Sequence, residues 1–384
     1  MPIVVFVLAV AVFAQGTSEF MVSGLLEQMP GDVGVSLGAA GLLTSLYAAG
    51  MVLGAPVMAM TAGRLPIRYS ATAFLGLFCA AHVVGALAEG FGLLLATRVV
   101  AAVANAGFLA VALAALPGLA GPALLGRATS VVVSGVTVAC IAGVPAGTLL
   151  GQLWGWRAAF WAVAVLSAAV LVPVWLMLGG DDRDGDGAAP SIRHEWSAVC
   201  LRPVRIAIAA GVLVNAATFA GFTYLGTVTT DASGGDHRWV PLALALFGIG
   251  SFAGVTLTGR FSDSHRRVIT IAGTLVLVGV WLLAALVAHS LTGVLVMSIL
   301  SGAAAFGVGS TLIATIVQTA APVAPRLAGA LATTAFNVGA VLGPLTAGPV
   351  VDDAGSPVAA FWGSAALATA ALGVILASRT ALPD

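Results

Sequence analysis

Apolar residues in this chain come in long runs of about twenty, separated by short polar or Gly/Pro-rich breaks that divide it into twelve segments. A bilayer core of about 30 Å takes roughly 20 apolar residues in helix. Lipid offers backbone groups no partners, so helices are the default spanning structure. A barrel would instead need alternating strands of about ten residues, and the sequence has none. The pattern predicts an all-α integral membrane protein. In the first half the helices are expected over Ile3–Leu26, Ala40–Ala62, Tyr69–Leu87, Leu93–Leu116, Ser130–Leu153 and Ala158–Leu178. In the second half they are expected over Ile206–Val228, Val240–Leu257, Val268–Ala288, Leu291–Val317, Leu327–Val350 and Val358–Ala377.

The one substantial hydrophilic stretch, Gly179 to Arg205, separates spans six and seven. It opens Gly-Gly-Asp-Asp-Arg-Asp-Gly-Asp-Gly and reads as a flexible linker. Three parts follow: a six-helix bundle over residues 1–178, a cytoplasmic linker over 179–205, and a second six-helix bundle over 206–384. The bundles echo each other. Ala158-Ala159-Phe160-Trp161 opens span six and Ala359-Ala360-Phe361-Trp362 opens span twelve, while Gly63-Arg64 closes span two and Gly259-Arg260 follows span eight. Similar offsets, 201 and 196 residues, at equivalent topological positions suggest duplication, and parallel six-helix repeats with a midplane site are a known transporter plan.

Composition agrees with lipid as the main solvent. Of 384 residues, 60% are hydrophobic and 8% charged, where soluble domains carry about 25% charged residues. Formal net charge is zero, which leaves no basic surface for nucleic acid. The basic residues, all arginine, also report orientation. With the N-terminus in the cytoplasm, inside loops and tail hold Arg64, Arg68, Arg127, Arg183, Arg193, Arg202, Arg205, Arg260, Arg266, Arg267, Arg326 and Arg379. Outside loops then hold only Arg157 and Arg238, with Arg98 inside span four. An inner (plasma) membrane protein with both termini cytoplasmic is expected. The first run lacks a preceding positive charge and is long enough to span, so it reads as a retained helix rather than a cleaved signal. Cys79, Cys140 and Cys200 have neither metal-type spacing nor a disulfide pattern and read as packing residues. Asp182-x-Asp184-x-Asp186-Gly187 matches half a calcium loop, but Arg193 stands where a bidentate carboxylate belongs. No metal or cofactor is expected.

Two charges fall inside the apolar runs. Arg98 in span four requires a cavity or a partner, because a buried arginine costs at least about 2.5 kcal/mol at mid-bilayer. The partner candidate is Glu19 in span one, at a depth within one helical turn of Arg98. Gln15 lies one turn below Glu19 on the same face. The two charges are expected to pair directly or through water and to carry proton coupling. His82 in span three could shuttle protons, but a lone intramembrane histidine reads as a packing group. The substrate site should be apolar with a few polar points, drawn from Gln15, Asn105, Asn215, Phe219, Phe222, Tyr224, Phe336 and Asn337.

Span five carries Gly135, Ala139, Gly143, Gly147 and Gly151 at four-residue intervals, with Pro145 inside. That spacing lines one helix face with small residues and admits a close neighbour. Span eleven has a parallel set in Gly339, Gly343, Ala347 and Gly348. Gly259-Arg260-Phe261-Ser262-Asp263-Ser264-His265-Arg266-Arg267 follows span eight, and a degraded copy, Gly63-Arg64-Leu65-Pro66-Ile67-Arg68, follows span two.

With these motifs the chain resembles the major facilitator superfamily over essentially its whole length, and within it the twelve-span drug:proton antiporters. The loop motif is represented by Gly63, Arg64 and Arg68 and by Gly259, Asp263, Arg266 and Arg267, with Ile67 where the family has its acid. The antiporter motif is represented by Gly135, Gly143, Pro145, Gly147 and Gly151, although the family places glycine and proline adjacent. In such antiporters that stripe is thought to seal against proton leak. Gln15-Gly16-Thr17-Ser18-Glu19-Phe20 resembles span one of actinobacterial chloramphenicol exporters. The resemblance implies two pseudo-symmetric six-helix bundles acting as a monomer. It further implies export of a small amphiphilic drug, chloramphenicol or a related phenicol, in exchange for protons by alternating access, with no enzymatic activity. A proton-coupled sugar or metabolite transporter is the alternative within the superfamily. An integral-membrane enzyme is a remote one, since the paired aspartates Asp181-Asp182 lie in the linker.

Overall fold

The structure is a computed structural model that describes residues 1–61, 66–121, 124–178, 196–324 and 327–377, the side chains at 55–61, 126, 196 and 261–265 excepted. Gly63, Arg64, Arg326, the side chain of Asp263 and linker residues 179–195 lie outside it. The described residues contain no strand. Among the described residues, twelve helices are long and apolar enough to cross a membrane. In order they are Ile3–Leu25, Leu37–Gly54, Ile67–Ala86, Phe91–Ala120, Arg127–Trp154, Trp156–Met177, Arg202–Ala232, His237–Arg260, Arg266–Val287, Leu291–Ala320, Ala328–Ala354 and Ala359–Ala377.

Several boundaries differ from the hydropathy reading, because helices continue past the apolar zone. Span seven begins at Arg202, so Arg202 and Arg205 occupy its first turns rather than the linker, after a short 3₁₀ turn at Trp196–Cys200. Its last turn takes in Asp231, and span eleven takes in Asp352 and Asp353. Spans eight and nine follow each other from Val240 to Val287 with no non-helical residue between them, and the chain reverses there, since Gly250 and Val287 both lie against the first turns of span ten. The motif from Gly259 to Arg267 is therefore helical rather than a loop. No glycine or proline occurs between Gly259 and Gly273 to stop the helix. A short helix, Met29–Val33, follows span one.

Many hydroxyls in the spans bond the carbonyl one turn earlier, as Thr17 does to Phe13, Thr148 to Val144 and Thr218 to Val214. Such a bond satisfies a polar group without leaving its own helix.

The chain divides into two compact units. One holds Met1–Val35 and Leu46–Gly187, the other Ser36–Ser45 and Ala188–Asp384. The first turns of span two thus pack with the second unit, where the Asp352 carboxylate accepts the Ser36 hydroxyl at 2.6 Å and the Gly38 amide at 2.8 Å.

Close glycine contacts recur in both units. In the first, a Cβ at Gly135 would lie 2.5 Å from the Ala9 carbonyl oxygen, and Gly143 and Gly151 abut Thr17 and Leu25. The span-five stripe is therefore filled by span one. In the second, Cβ atoms at Gly339 and Gly343 would lie 2.5 Å from the Val212 and Ala216 carbonyl oxygens, so span eleven meets span seven in the same way. Spans two and four likewise touch at Gly50 and Ala102, as spans eight and ten do at Gly250 and Ile299. The twelve helices form two pseudo-symmetric six-helix sets.

Candidate functional site

Within the first unit, span four carries Arg98 into the protein, where it is 1% exposed. Its two terminal nitrogens converge on one residue of span one. Nη1 donates to Ser18 Oγ and Nη2 to the Ser18 carbonyl, each at 2.8 Å. The guanidinium lies 4.2 Å over the Tyr47 ring and 5.9 Å from that of Phe160. Two charge-assisted bonds and a cation–π face let the cation stay buried.

Glu19, the residue after Ser18, is half-buried. Its carboxyl is within electrostatic reach of Arg98, Tyr47 and Cys140. No ion pair between Glu19 and Arg98 forms among the described residues, since the guanidinium is engaged by Ser18 instead. Asn105, seven residues beyond Arg98, donates to the Tyr47 hydroxyl at 3.0 Å. Gln15 is 1% exposed and neither polar atom of its amide has a partner.

Span five contributes through an irregularity. Residues Ala139–Gly143 form a π-helical turn directly before Pro145, which has no amide hydrogen to give. A π-turn inserts one extra residue and re-aims its neighbours, and such turns are frequent at functional sites. Here it carries Cys140, whose thiol lies within electrostatic reach of Glu19.

In the second unit, Asn215 donates to the Phe336 carbonyl at 2.5 Å. Both residues line a cavity of about 260 Å³ with Thr218, Phe306, Ser310 and Ile313. Phe219, Phe222, Phe247 and Phe306 follow one another with ring centroids 6.3, 4.7 and 6.1 Å apart, leading to the cavity wall. Tyr224 is not part of this group: its hydroxyl bonds the Gly38 carbonyl at 3.5 Å. Asn337 spends its amide donor on Thr333 of its own helix. Of the described basic loop-motif residues, Arg68 stacks 4.1 Å over Trp175, and Arg266 donates to Gln318.

The sequence profile of the Major Facilitator Superfamily matches residues 8–344 and again 234–383. The chain belongs to the Major Facilitator Superfamily. It is a transporter of that superfamily and a multi-pass membrane protein. It is 46% identical over 385 residues to the chloramphenicol resistance protein of Streptomyces lividans, covering 100% of this chain and 97% of that one. It is 31% identical over 346 residues to the inner membrane transport protein YdhP of Escherichia coli K12, covering 90% and 87%. In fold it resembles a bacterial homologue of the human lysosomal transporter Spinster, with TM-score 0.77 and 18% identity over 99% of this chain and 98% of the other. The nucleoside transporter NupG gives TM-score 0.78 and 13% identity over 97% and 98%.

Tyr47, the contacts of Ser18 and the π-turn were not singled out from sequence, and His82, read there as a packing group, has hydrogen-bond partners at both ring nitrogens. Ser18 meets His82 at 2.6 Å and Arg98 at 2.8 Å, partners 64 and 80 residues away. No local spacing announces such contacts.

Proposed function

We propose that this transporter exports a small amphiphilic drug, a phenicol such as chloramphenicol, in exchange for protons by alternating access. The observation that carries the coupling is a buried guanidinium fixed to Ser18, one residue from the half-buried carboxyl of Glu19. Burial destabilises a charged carboxylate and a nearby cation stabilises it. Any movement of span one against span four would change the balance and with it the affinity for a proton. Reciprocal proton affinity on the two sides of a membrane is what antiport requires.

The substrate class is supported by the relative in Streptomyces lividans. The apolar, aromatic surroundings of Asn215 and Phe336 suit a neutral aromatic amphiphile. The unpartnered Gln15 amide also supports a polar guest, since leaving such a group unsatisfied costs about 1–3 kcal/mol. In the second unit this reading favours Asn215, Phe219, Phe222 and Phe336 as substrate contacts, and in the first its polar candidates are Gln15 and Asn105. The arginine asymmetry favours an inner membrane setting with both termini cytoplasmic, and a monomer suffices as the working unit.

The test is expression in efflux-deficient bacteria, with survival compared across an antibiotic panel led by phenicols. Wild-type protein should protect against phenicols, and Glu19→Gln should lose that protection at equal membrane abundance. A well-expressed wild-type protein that protects against no compound would defeat the export reading. Proton-driven export by Glu19→Gln at wild-type rate would remove Glu19 from the coupling.

A further inference from the structure

His82 stands in span three, 1% exposed, with its ring 4.2 Å from that of Phe78 and 5.8 Å from that of Phe160. Packing alone would be served by a phenylalanine. The ring nitrogens have specific partners instead. Nδ1 lies 2.8 Å from the Phe78 carbonyl and Nε2 lies 2.6 Å from Ser18 Oγ. A carbonyl can only accept, so Nδ1 carries the hydrogen. Arg98 Nη1 already donates to Ser18 Oγ. The Ser18 hydroxyl therefore has its own hydrogen free for Nε2, which accepts it in the neutral ring. A doubly protonated ring would place two donors on that hydroxyl and a second cation beside Arg98. The donors thus run one way, from Arg98 to Ser18 to His82 to Phe78.

We propose that His82 is a positioning residue: through the Ser18 hydroxyl it fixes the Arg98 guanidinium beside Glu19, and so sets how readily that carboxyl exchanges its proton. The proposal rests on the reading of Glu19 as proton carrier. The ring orients the hydroxyl, and the oriented hydroxyl presents its lone pair to Nη1. Without an acceptor at Nε2, the hydroxyl can turn to the Tyr47 oxygen, which is also within its reach, or to a carbonyl of its own helix. Its lone pair is then no longer held toward Arg98 Nη1, which leaves the bond to the Ser18 carbonyl as the fixed one. The groups acting on Glu19 are Arg98 from span four, Tyr47 from span two and Cys140 from span five. His82 itself faces Arg98.

The test needs no drug. Infrared spectra of purified protein in lipid are recorded across pH, and the protonated-carboxyl band of Glu19 is identified by its absence in Glu19→Gln. His82→Gln keeps an acceptor for Ser18 and should titrate as wild type. His82→Leu and Ser18→Ala should each retain the band to higher pH, by roughly half a pH unit, because a loosened cation stabilises the carboxylate less. The double variant should shift no further than the larger single one, the signature of two residues acting through one contact. Wild-type titration in His82→Leu, or shifts that add in the double variant, would overturn the proposal. If His82→Leu does not fold, Ser18→Ala decides alone, since it removes one hydroxyl and leaves the carbonyl bond. A wild-type protein with no titrating Glu19 band would overturn both this inference and the coupling reading. Failure to protect cells against phenicols would touch only the substrate.

Discussion

Both terminal nitrogens of Arg98 are held by Ser18, one through the hydroxyl and one through the carbonyl, at 2.8 Å each. A backbone and a side-chain oxygen of the same residue match the spacing of a planar fork, which an ammonium cannot reproduce. Arg98→Lys should therefore reach Ser18 with one bond at most and lose the flat face over Tyr47. Removing the guanidinium leaves the Ser18 hydroxyl and carbonyl without it, and a buried group left unsatisfied costs about 1–3 kcal/mol, so Arg98→Ala is expected to accumulate poorly. Arg98→Lys should reach the membrane at near wild-type abundance but lose at least about tenfold in export rate, a factor that corresponds to about 1.4 kcal/mol. Drug efflux from loaded vesicles, normalised to protein, measures it.

The span-five stripe gives a graded prediction. A Cβ at Gly135 would lie 2.5 Å from the Ala9 carbonyl oxygen and 2.9 Å from the Phe13 amide, both backbone atoms that cannot turn aside. At Gly147 the nearest atom would be Met21 Cβ at 3.5 Å, an ordinary contact. Gly135→Ala should therefore force spans one and five apart and destabilise the protein by about 1–3 kcal/mol, the usual range for overpacking. Gly147→Ala should be neutral or slightly stabilising. Thermal unfolding of the two variants in the same detergent compares them directly. Equal midpoints would mean that the stripe is not a close helix contact.

These two sites show what the sequence could and could not convey. The spans were legible because lipid allows few alternatives: an uninterrupted apolar run of twenty residues has to be a helix. The glycine stripe was legible because a four-residue interval keeps one helix face. Its partner was not, since spacing describes a groove and not what fills it. Glu19 and Arg98 stood out as charges among hydrocarbons. The contacts that fix Arg98 did not, because a serine or histidine inside an apolar helix defaults to bonding its own turn or to packing. The helical conformation of the connection between spans eight and nine escaped for a different reason. Polarity marks where a chain leaves lipid, and says nothing about whether it stays helical there.

Between spans seven and eight, Asp236 accepts hydrogen bonds from three donors of Arg238, side-chain Nε and Nη2 and the backbone amide, with Nε shared between both carboxylate oxygens. Those bonds hold its carboxyl down at about 2, below the usual value of about 3.9. The folded state therefore binds the proton more weakly than the unfolded state. The stabilisation is complete above about pH 4 and is lost as pH falls towards 2. The pair is exposed, so the effect is small. The difference in unfolding midpoint between wild type and Asp236→Asn should be constant from pH 7 to about 5, shrink below about pH 4 and disappear only as pH falls through and below about 2. Export at neutral pH should be unchanged.

Asp352 presents a sharper case at the opposite end of the second unit's sequence. It sits in the last turn of span eleven, where the helix carbonyls make a negative charge unfavourable. Both carboxylate oxygens are nevertheless engaged by the start of span two: Oδ2 accepts the Ser36 hydroxyl and Oδ1 the Gly38 amide. Ser36 caps that helix by accepting from the Ala39 amide at 3.1 Å. The carboxylate thus meets the positive end of one helix while leaving the negative end of its own. Gly38 makes the approach possible, since a Cβ there would abut the Gly348 carbonyl and lie 2.5 Å from the Asp352 carboxylate. Asp352→Asn keeps the shape but removes the charge, and turns one acceptor into a donor facing either the Ser36 hydroxyl or the Gly38 amide. It should lower stability by about 1–3 kcal/mol. Gly38→Ala should do at least as much by sterics alone, and combining the two should cost less than their sum, because either one already opens the same contact. Unfolding midpoints of the four proteins in one detergent test this, and fully additive losses would show that Asp352 and Gly38 stabilise the protein separately.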